Sequence, residues 1–182
     1  ATTWRFELRK GVKFHDGAAF TASDVKYTVE KAAAEDSSNK NKGMYQSVTS
    51  VETPDDYTVV ISLKAANALF LFKSAQSTGA IIDPASAENN MTNPVGTGPY
   101  KFVRWTKGDS VDMELFADHR NASKIKIKNA KFRFINDANA QVNALLTNGL
   151  DYMPSLSAPE MFKQFQSDPK FTALQGTTEG ET

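Results

Sequence analysis

Alternation of apolar and polar residues predicts several strands along the chain. Trp4, Phe6 and Leu8 are separated by charged residues, which is the period of a half-buried strand. The same period recurs over residues 57–63 and, as the two arms of a hairpin, over residues 100–115. Each run meets a turn signal rich in glycine, proline or aspartate. These runs therefore predict at least one sheet with hairpin connections.

Helical spacing appears between the strands. Val25 and Val29 fall on one face of a helix that is capped at Thr21 or Ser23 and fades near Glu35. The other predicted helices cover residues 65–75, 85–91, 137–146 and 159–166, the first of them short and well buried. Further strands are predicted at residues 80–82, 125–134 and from residue 171. Strands and helices mix without strict alternation, so the predicted fold class is α/β, of the mixed α+β kind.

Composition removes several classes of protein. The chain has 182 residues and no cysteine, which excludes a disulfide scaffold, a thiolate metal site and a thiol nucleophile. Its 21 basic and 21 acidic residues balance, so we expect no nucleic-acid partner. No run approaches the 18 or so apolar residues of a membrane span. The chain opens in a strand pattern and ends in a polar run, so we expect both ends to be cut points, and the missing leader says little about localisation.

Two motifs invite a chemical interpretation. His15 beside Asp16 could form a catalytic pair or a metal site, but a metal needs further ligands and His119 is the other histidine. Asp16-Gly17 is a strong turn signal, so we expect a turn there, with no metal and no cofactor. Residues 96–98, Gly-Thr-Gly, lack the lysine and helix of a phosphate loop. A hydrolase using His15 and Asp16 stays as the alternative function.

Four segments together carry a family resemblance. They are WRFELRKGVKFHDG at residues 4–17, DDYTVVISL at 55–63, NPVGTGPYKF at 93–102 and FRFIND at 132–137. In this order and spacing the chain resembles bacterial extracellular solute-binding proteins of family 5, the dipeptide, oligopeptide and nickel receptors of ABC importers. His119-Arg120, where the family usually has two aromatic residues, and Gln141, near a common arginine, depart from the pattern.

The resemblance implies a fold and a function. The chain would be a partial lobe I of a two-lobed periplasmic-binding-protein-like fold of class II, cluster C. Residues 1–92 would form part of an outer subdomain, and residues 93–182 a core segment leading to a second lobe. The protein would be a receptor, not an enzyme, that is periplasmic or extracellular and binds oligopeptides or a related small solute for importer permease subunits. Since the main anchors of the family usually come from lobe II, this chain alone would bind solutes weakly.

Few residues of the chain are candidates for ligand contacts. Ser77, Thr78 and Ala80 lie between a predicted buried helix and a predicted buried strand, where small polar groups and free amides suit a peptide backbone. An ordinary connecting loop explains the same residues equally well. Tyr45 is a further candidate and Trp105 an alternative, although both also suit plain packing. A protein-interaction module is the third function that the sequence leaves open.

Overall fold

The structure, a computed structural model, describes residues 1–156 and 158–176. The strands are β1 (Thr3–Glu7), β2 (Val48–Asp55), β3 (Thr58–Leu63), β4 (Tyr100–Thr106), β5 (Ser110–Leu115) and β6 (Asn129–Arg133). The α-helices are α1 (Ala22–Ala33), α2 (Lys42–Tyr45), α3 (Phe70–Ser74), α4 (Ala138–Leu146) and α5 (Phe162–Ser167). None of these described helices could span a lipid bilayer.

Contacts divide the chain into two compact units, Ala1–Phe132 and Arg133–Thr182. We expect residues 1–92 and 93–182 to be two segments of lobe I in a complete two-lobed receptor. That division stays a prediction. The expected crossover toward a second lobe lies beyond residue 176, outside the described residues.

The first sheet has the strand order β1–β3–β2, and both pairs are antiparallel. Trp4 lies opposite Ile61 and Phe6 opposite Val59, so the side chains that alternate inward in β1 meet buried β-branched residues of β3. Such cross-strand pairs stabilise a sheet because their side chains pack on one face. The alternation predicted for this region is confirmed.

Helix α1 packs on β2 and β3 of this sheet. Its start is fixed by a reciprocal cap, in which the backbone N–H of Thr21 donates to the Asp24 carboxylate at 2.7 Å. Val25 and Val29 are buried beneath the helix, as its apolar stripe predicted. The buried residues of this core are Ala22, Val25, Val29, Ala32, Met44, Tyr45, Val51, Val59, Ile61, Leu63 and Phe70.

The second sheet has the strand order β4–β5–β6, and its β4–β5 hairpin was predicted. Gly108 has a φ of 78° in the turn, a conformation that glycine adopts without a steric penalty. Across the hairpin, Arg104 donates to Asp112 at 2.7 Å. This pair, with Arg104 exposed and Asp112 half-buried, bridges the two strands.

The predicted buried helix at residues 65–75 is wrong in its length and burial. Helix α3 covers only Phe70–Ser74, and Phe70 alone among its apolar residues is buried, whereas Leu71 and Phe72 are exposed. The Asn67 side chain accepts a hydrogen bond from the Leu69 N–H at 3.0 Å. This local turn replaces the first helical turn, because asparagine competes with the helix for backbone groups.

Two further predicted elements are absent from the described structure. The N–H of Ile82 donates to the Thr28 hydroxyl at 2.9 Å instead of to a neighbouring strand, so residues 80–82 form no strand. The helix expected over residues 85–91 is reduced to a 3-10 turn at Ala87–Asn89. In both cases hydrogen bonds to side chains take up backbone groups that a regular helix or strand would have used.

The second unit is built around helices α4 and α5. Asp137 caps α4 as predicted, since its carboxylate accepts a hydrogen bond from the Ala140 N–H at 2.7 Å. Val142 and Phe165 are buried in a small core of their own. No strand forms over residues 171–176, the described part of the strand expected from residue 171, and the Phe171 ring lies edge-on against Phe165 at 5.1 Å.

Candidate functional site

The segment that holds three predicted ligand contacts is a tight turn after α3. A 3-10 turn covers Ser77–Gly79, with Ser77 and Ala80 exposed and Thr78 half-buried. A Cβ atom at Gly79 would lie 2.0 Å from the carbonyl oxygen of Ser74. Only glycine therefore allows the chain to pass so close to the end of α3.

Two asparagines of the polar loop before α2 hold this turn in place. The Asn39 amide donates to the carbonyl oxygen of Thr78 at 2.8 Å, and the Asn41 amide donates to the Thr78 hydroxyl at 2.6 Å. The carbonyl oxygen and the hydroxyl of Thr78 are thus already bonded within the protein. Among the predicted contacts of this turn, the side chains of Ser77 and Ala80 are the ones that face solvent.

Tyr45 lies elsewhere, at the end of α2 and inside the first core, where it is 3% exposed. It lines a partly open apolar pocket of about 190 Å³ together with Gly79. Ser77, Thr78 and Ala80 are not part of that lining. The structure therefore places Tyr45 next to the glycine of the turn, but it does not bring the four predicted contacts into one site.

Burial raises the pKa of the Tyr45 hydroxyl above its usual range, because the charged phenolate is disfavoured away from water. The hydroxyl thus stays protonated at neutral pH and can donate a hydrogen bond. Trp105, the alternative aromatic candidate, lies in the hairpin strand β4, partly exposed, with the Lys107 ammonium 5.6 Å from its ring centre.

The His15 ring joins two parts of the first unit. Its Nε2–H donates to the carbonyl oxygen of Gly98 at 2.9 Å, and its Nδ1 accepts from the Gly96 N–H at 3.2 Å. The ring also lies edge-on against Phe116 at 5.1 Å. Both nitrogens are bonded to the backbone of the Gly-Thr-Gly segment, so neither is free to act as a base or a metal ligand.

Asp16 has an equally structural set of contacts. Its carboxylate accepts a hydrogen bond from the Ala18 N–H at 3.0 Å, and Gly17 adopts a φ of 95°, so the predicted turn is present. Within residues 1–156 and 158–176, no group of three His, Asp or Glu residues could hold a metal ion.

Sequence reasoning missed Asp83, which is 5% exposed and carries a buried carboxylate oxygen without a hydrogen-bond partner among the described residues. Burial first, and then the neighbouring Asp16 carboxyl, raise the pKa of Asp83, against the opposing hydrogen bond from the Ala85 N–H. In the sequence, Asp83 precedes a proline like any turn residue, so no local signal marks its burial.

Comparison with known proteins decides the family. The family described as bacterial extracellular solute-binding proteins, family 5 Middle, matches residues 1–182. The chain belongs to this family. The glutathione-binding protein GsiB of Pectobacterium atrosepticum is 35% identical over 151 residues, which are 81% of the chain and 29% of GsiB. The oligopeptide-binding protein AppA of Bacillus subtilis is 30% identical over 156 residues, which are 80% of the chain and 28% of AppA.

Solved structures of the family share the fold. The PBP AgaA from A. tumefaciens R10, in complex with agropinic acid, has a TM-score of 0.82 and 29% identity over 93% of the chain and 35% of AgaA. The mixed α/β class, as part of a two-lobed periplasmic-binding-protein fold, is therefore confirmed. This solute-binding protein chain spans about three tenths of the length of the curated relatives it matches.

Proposed function

We propose that the protein is the solute-binding component of an ABC importer, with an oligopeptide or a related small solute as its ligand. The match of residues 1–182 to a solute-binding family carries the proposal. The names of GsiB and AppA support a peptide-like ligand, since one is a glutathione-binding and the other an oligopeptide-binding protein. As in other receptors of this architecture, closure of two lobes would bury the solute.

The proposal includes a location and a partner. A receptor of this family works outside the cytoplasm, so we place the protein in the periplasm or at the outer cell surface, where importer permease subunits receive the solute. It involves no nucleic acid and no cofactor. A pure interaction module, which would bind the permease without a solute, is the competing function for the same partner.

Binding without catalysis is the second part of the proposal. The alternative hydrolase would need His15 as a base, but both ring nitrogens of His15 are bonded to the backbone of Gly96 and Gly98. It would also need Asp16 to orient that base, and the Asp16 carboxylate instead accepts from the Ala18 N–H. These contacts support a structural role for the pair.

For the ligand contact we propose the exposed side of the turn after α3, at Ser77 and Ala80. Their side chains face solvent, while Asn39 and Asn41 fix the turn through Thr78. A rigid turn with exposed small side chains loses little conformational entropy when an extended peptide lies along it.

Nuclear magnetic resonance (NMR) titration of the 15N-labelled protein with short peptides at millimolar concentration tests this proposal. We expect shifts of the Ser77 and Ala80 amide signals, and we expect the peptides to stay intact. Ala80→Trp blocks the surface and weakens binding at least several-fold, whereas Ala66→Trp, at another exposed alanine, leaves it unchanged. Peptide cleavage would contradict the receptor function, and shifts confined to other residues would contradict the contact site alone.

A further inference from the structure

Basic side chains are concentrated in one exposed stretch of a chain whose net charge is zero. We call residues 120–131 the basic segment, because they include five bases and no aspartate or glutamate. The five bases, all of them exposed, are Arg120, Lys124, Lys126, Lys128 and Lys131. Since the whole chain balances 21 basic against 21 acidic residues, the basic segment is a local excess of positive charge.

Neighbouring groups neutralise little of this charge. Among residues 1–156 and 158–176, Lys131 is the one base of the segment within salt-bridge distance of a carboxylate, that of Asp112 at 3.6 Å. Asp112 is already paired with Arg104 at 2.7 Å. The Lys128 ammonium donates to the carbonyl oxygen of Ile125 at 3.0 Å, which satisfies a donor but leaves the charge in place. The positive charge is therefore available to a partner.

The segment presents its lysines from a backbone that is held in place. The carbonyl oxygen of Ile127 accepts a hydrogen bond from the Tyr100 hydroxyl at 2.9 Å, and that of Lys128 accepts from the Leu115 N–H at 2.7 Å. Both bonds tie the segment to the β4–β5 hairpin. The Cα atoms of residues two apart are at most about 7 Å apart, which is less than the Debye length of about 8 Å at physiological salt. The lysines thus act on a partner as one group.

The chemistry of the segment favours a lipid surface over a protein. Ile127, between two lysines, is 64% exposed. A bilayer interface suits this combination, because basic side chains keep their charge among the headgroups while an apolar side chain enters the interface. Protein interfaces are instead depleted in lysine and enriched in arginine and aromatic residues, whereas four of the five bases here are lysines.

We propose that the basic segment docks the protein on an anionic bilayer surface, with its lysines at the headgroup phosphates and Ile127 in the interface. Each basic residue close to such a surface strengthens binding by about fivefold. The docking does not depend on the identity of the solute, because Ser77 and Ala80 lie outside the segment. Its failure would therefore leave the proposed receptor function untouched.

Flotation with lipid vesicles tests the proposal. One set of vesicles contains equal parts of phosphatidylglycerol and phosphatidylcholine, and the other contains phosphatidylcholine alone. We expect the protein to bind the anionic vesicles only and to be released at 1 M salt, where the Debye length falls to about 3 Å. The triple variant Lys124→Gln, Lys126→Gln, Lys128→Gln should bind the anionic vesicles about a hundredfold more weakly, because three basic residues are removed together.

A second triple variant controls for the change in net charge. It removes the same charge at three exposed lysines elsewhere and should keep most of the binding; its substitutions are Lys31→Gln, Lys40→Gln and Lys64→Gln. Ile127→Ser should weaken binding several-fold, whereas Met91→Ser, at an apolar side chain that is 89% exposed, should leave it unchanged.

Four results would overturn the proposal. They are equal binding to both kinds of vesicle, no binding to either, equal losses in the two triple variants, and wild-type binding by Ile127→Ser. Soluble polyglutamate supplies a further comparison. If the protein binds polyglutamate in preference to the anionic vesicles, and the first triple variant loses that binding, the partner of the segment is an acidic protein and not a membrane.

Discussion

Replacement of His15 by alanine is expected to destabilise the fold rather than to remove a catalytic group. The variant loses the hydrogen bond to the Gly98 carbonyl oxygen and the one from the Gly96 N–H. Each contributes about 1 kcal/mol to stability. It also loses the edge-on contact with Phe116 at 5.1 Å, and such pairs contribute about 1 kcal/mol. We therefore expect the free energy of unfolding to fall by about 3 kcal/mol.

Urea unfolding followed by circular dichroism measures this loss, with the midpoint and the slope fitted separately. His119→Ala is the matched control, because its ring contact is local, with Nδ1 accepting from the Asn121 N–H at 3.3 Å. The control should lose less than about 1 kcal/mol. A loss below about 0.5 kcal/mol in His15→Ala would refute the structural role of the ring. Turnover of a peptide by the wild type that disappears in His15→Ala would favour the hydrolase.

Three further substitutions follow from single contacts. Gly79→Ala, which forces a Cβ atom against the Ser74 carbonyl oxygen, should cost about 1–3 kcal/mol in thermal unfolding. Asp83→Asn should stabilise the protein at neutral pH. The pKa of Asp83 is higher in the folded than in the unfolded chain, so the folded protein loses stability as the pH rises from the unfolded pKa through the folded pKa. Asparagine carries no charge and avoids this loss. Unfolding at a series of pH values measures this. Asp137→Ala removes the cap of α4 and should cost about 1 kcal/mol in urea unfolding.

Each of these expectations has a control. Gly43→Ala meets no atom within 4 Å and should be neutral or slightly stabilising, so an equal loss at both glycines would argue against the close approach at Gly79. If Asp83→Asn keeps the acid-range pH dependence of the wild type, the buried carboxyl is not its source. Asp151→Ala, at an exposed aspartate outside any helix, should leave stability unchanged, unlike the variant at Asp137.

Local signals predicted much of the fold. The alternation from Trp4, the cap at Asp137 and the turn at Gly108 each depend on neighbours a few residues away, and each is present. The wrong predictions arise where a side chain forms a hydrogen bond with a backbone group that the predicted helix or strand would have used. Asn67 shortens α3, and the bond from Ile82 to Thr28 replaces a strand. Such choices depend on contacts that periodicity does not describe.

The candidate site was harder to predict than the fold. Asn39 and Thr78 meet across 39 residues of sequence, and His15 and Gly98 across 83. A linear pattern gives each of these residues a local role, in a loop or a turn, and says nothing of its partner. The pocket beside Tyr45 is still less visible, because an apolar side chain has the same pattern whether it fills a core or leaves a gap.

Above all, we propose that the protein binds a peptide-like solute and leaves it chemically unchanged. Native mass spectrometry of the protein after incubation with a defined mixture of short peptides tests it most directly, since one spectrum reports both complexes and products. We expect a non-covalent complex of one protein with one intact peptide, and no peptide fragments even after long incubation. Fragments that accumulate with the wild type, or no complex with any peptide or related small solute, would contradict it.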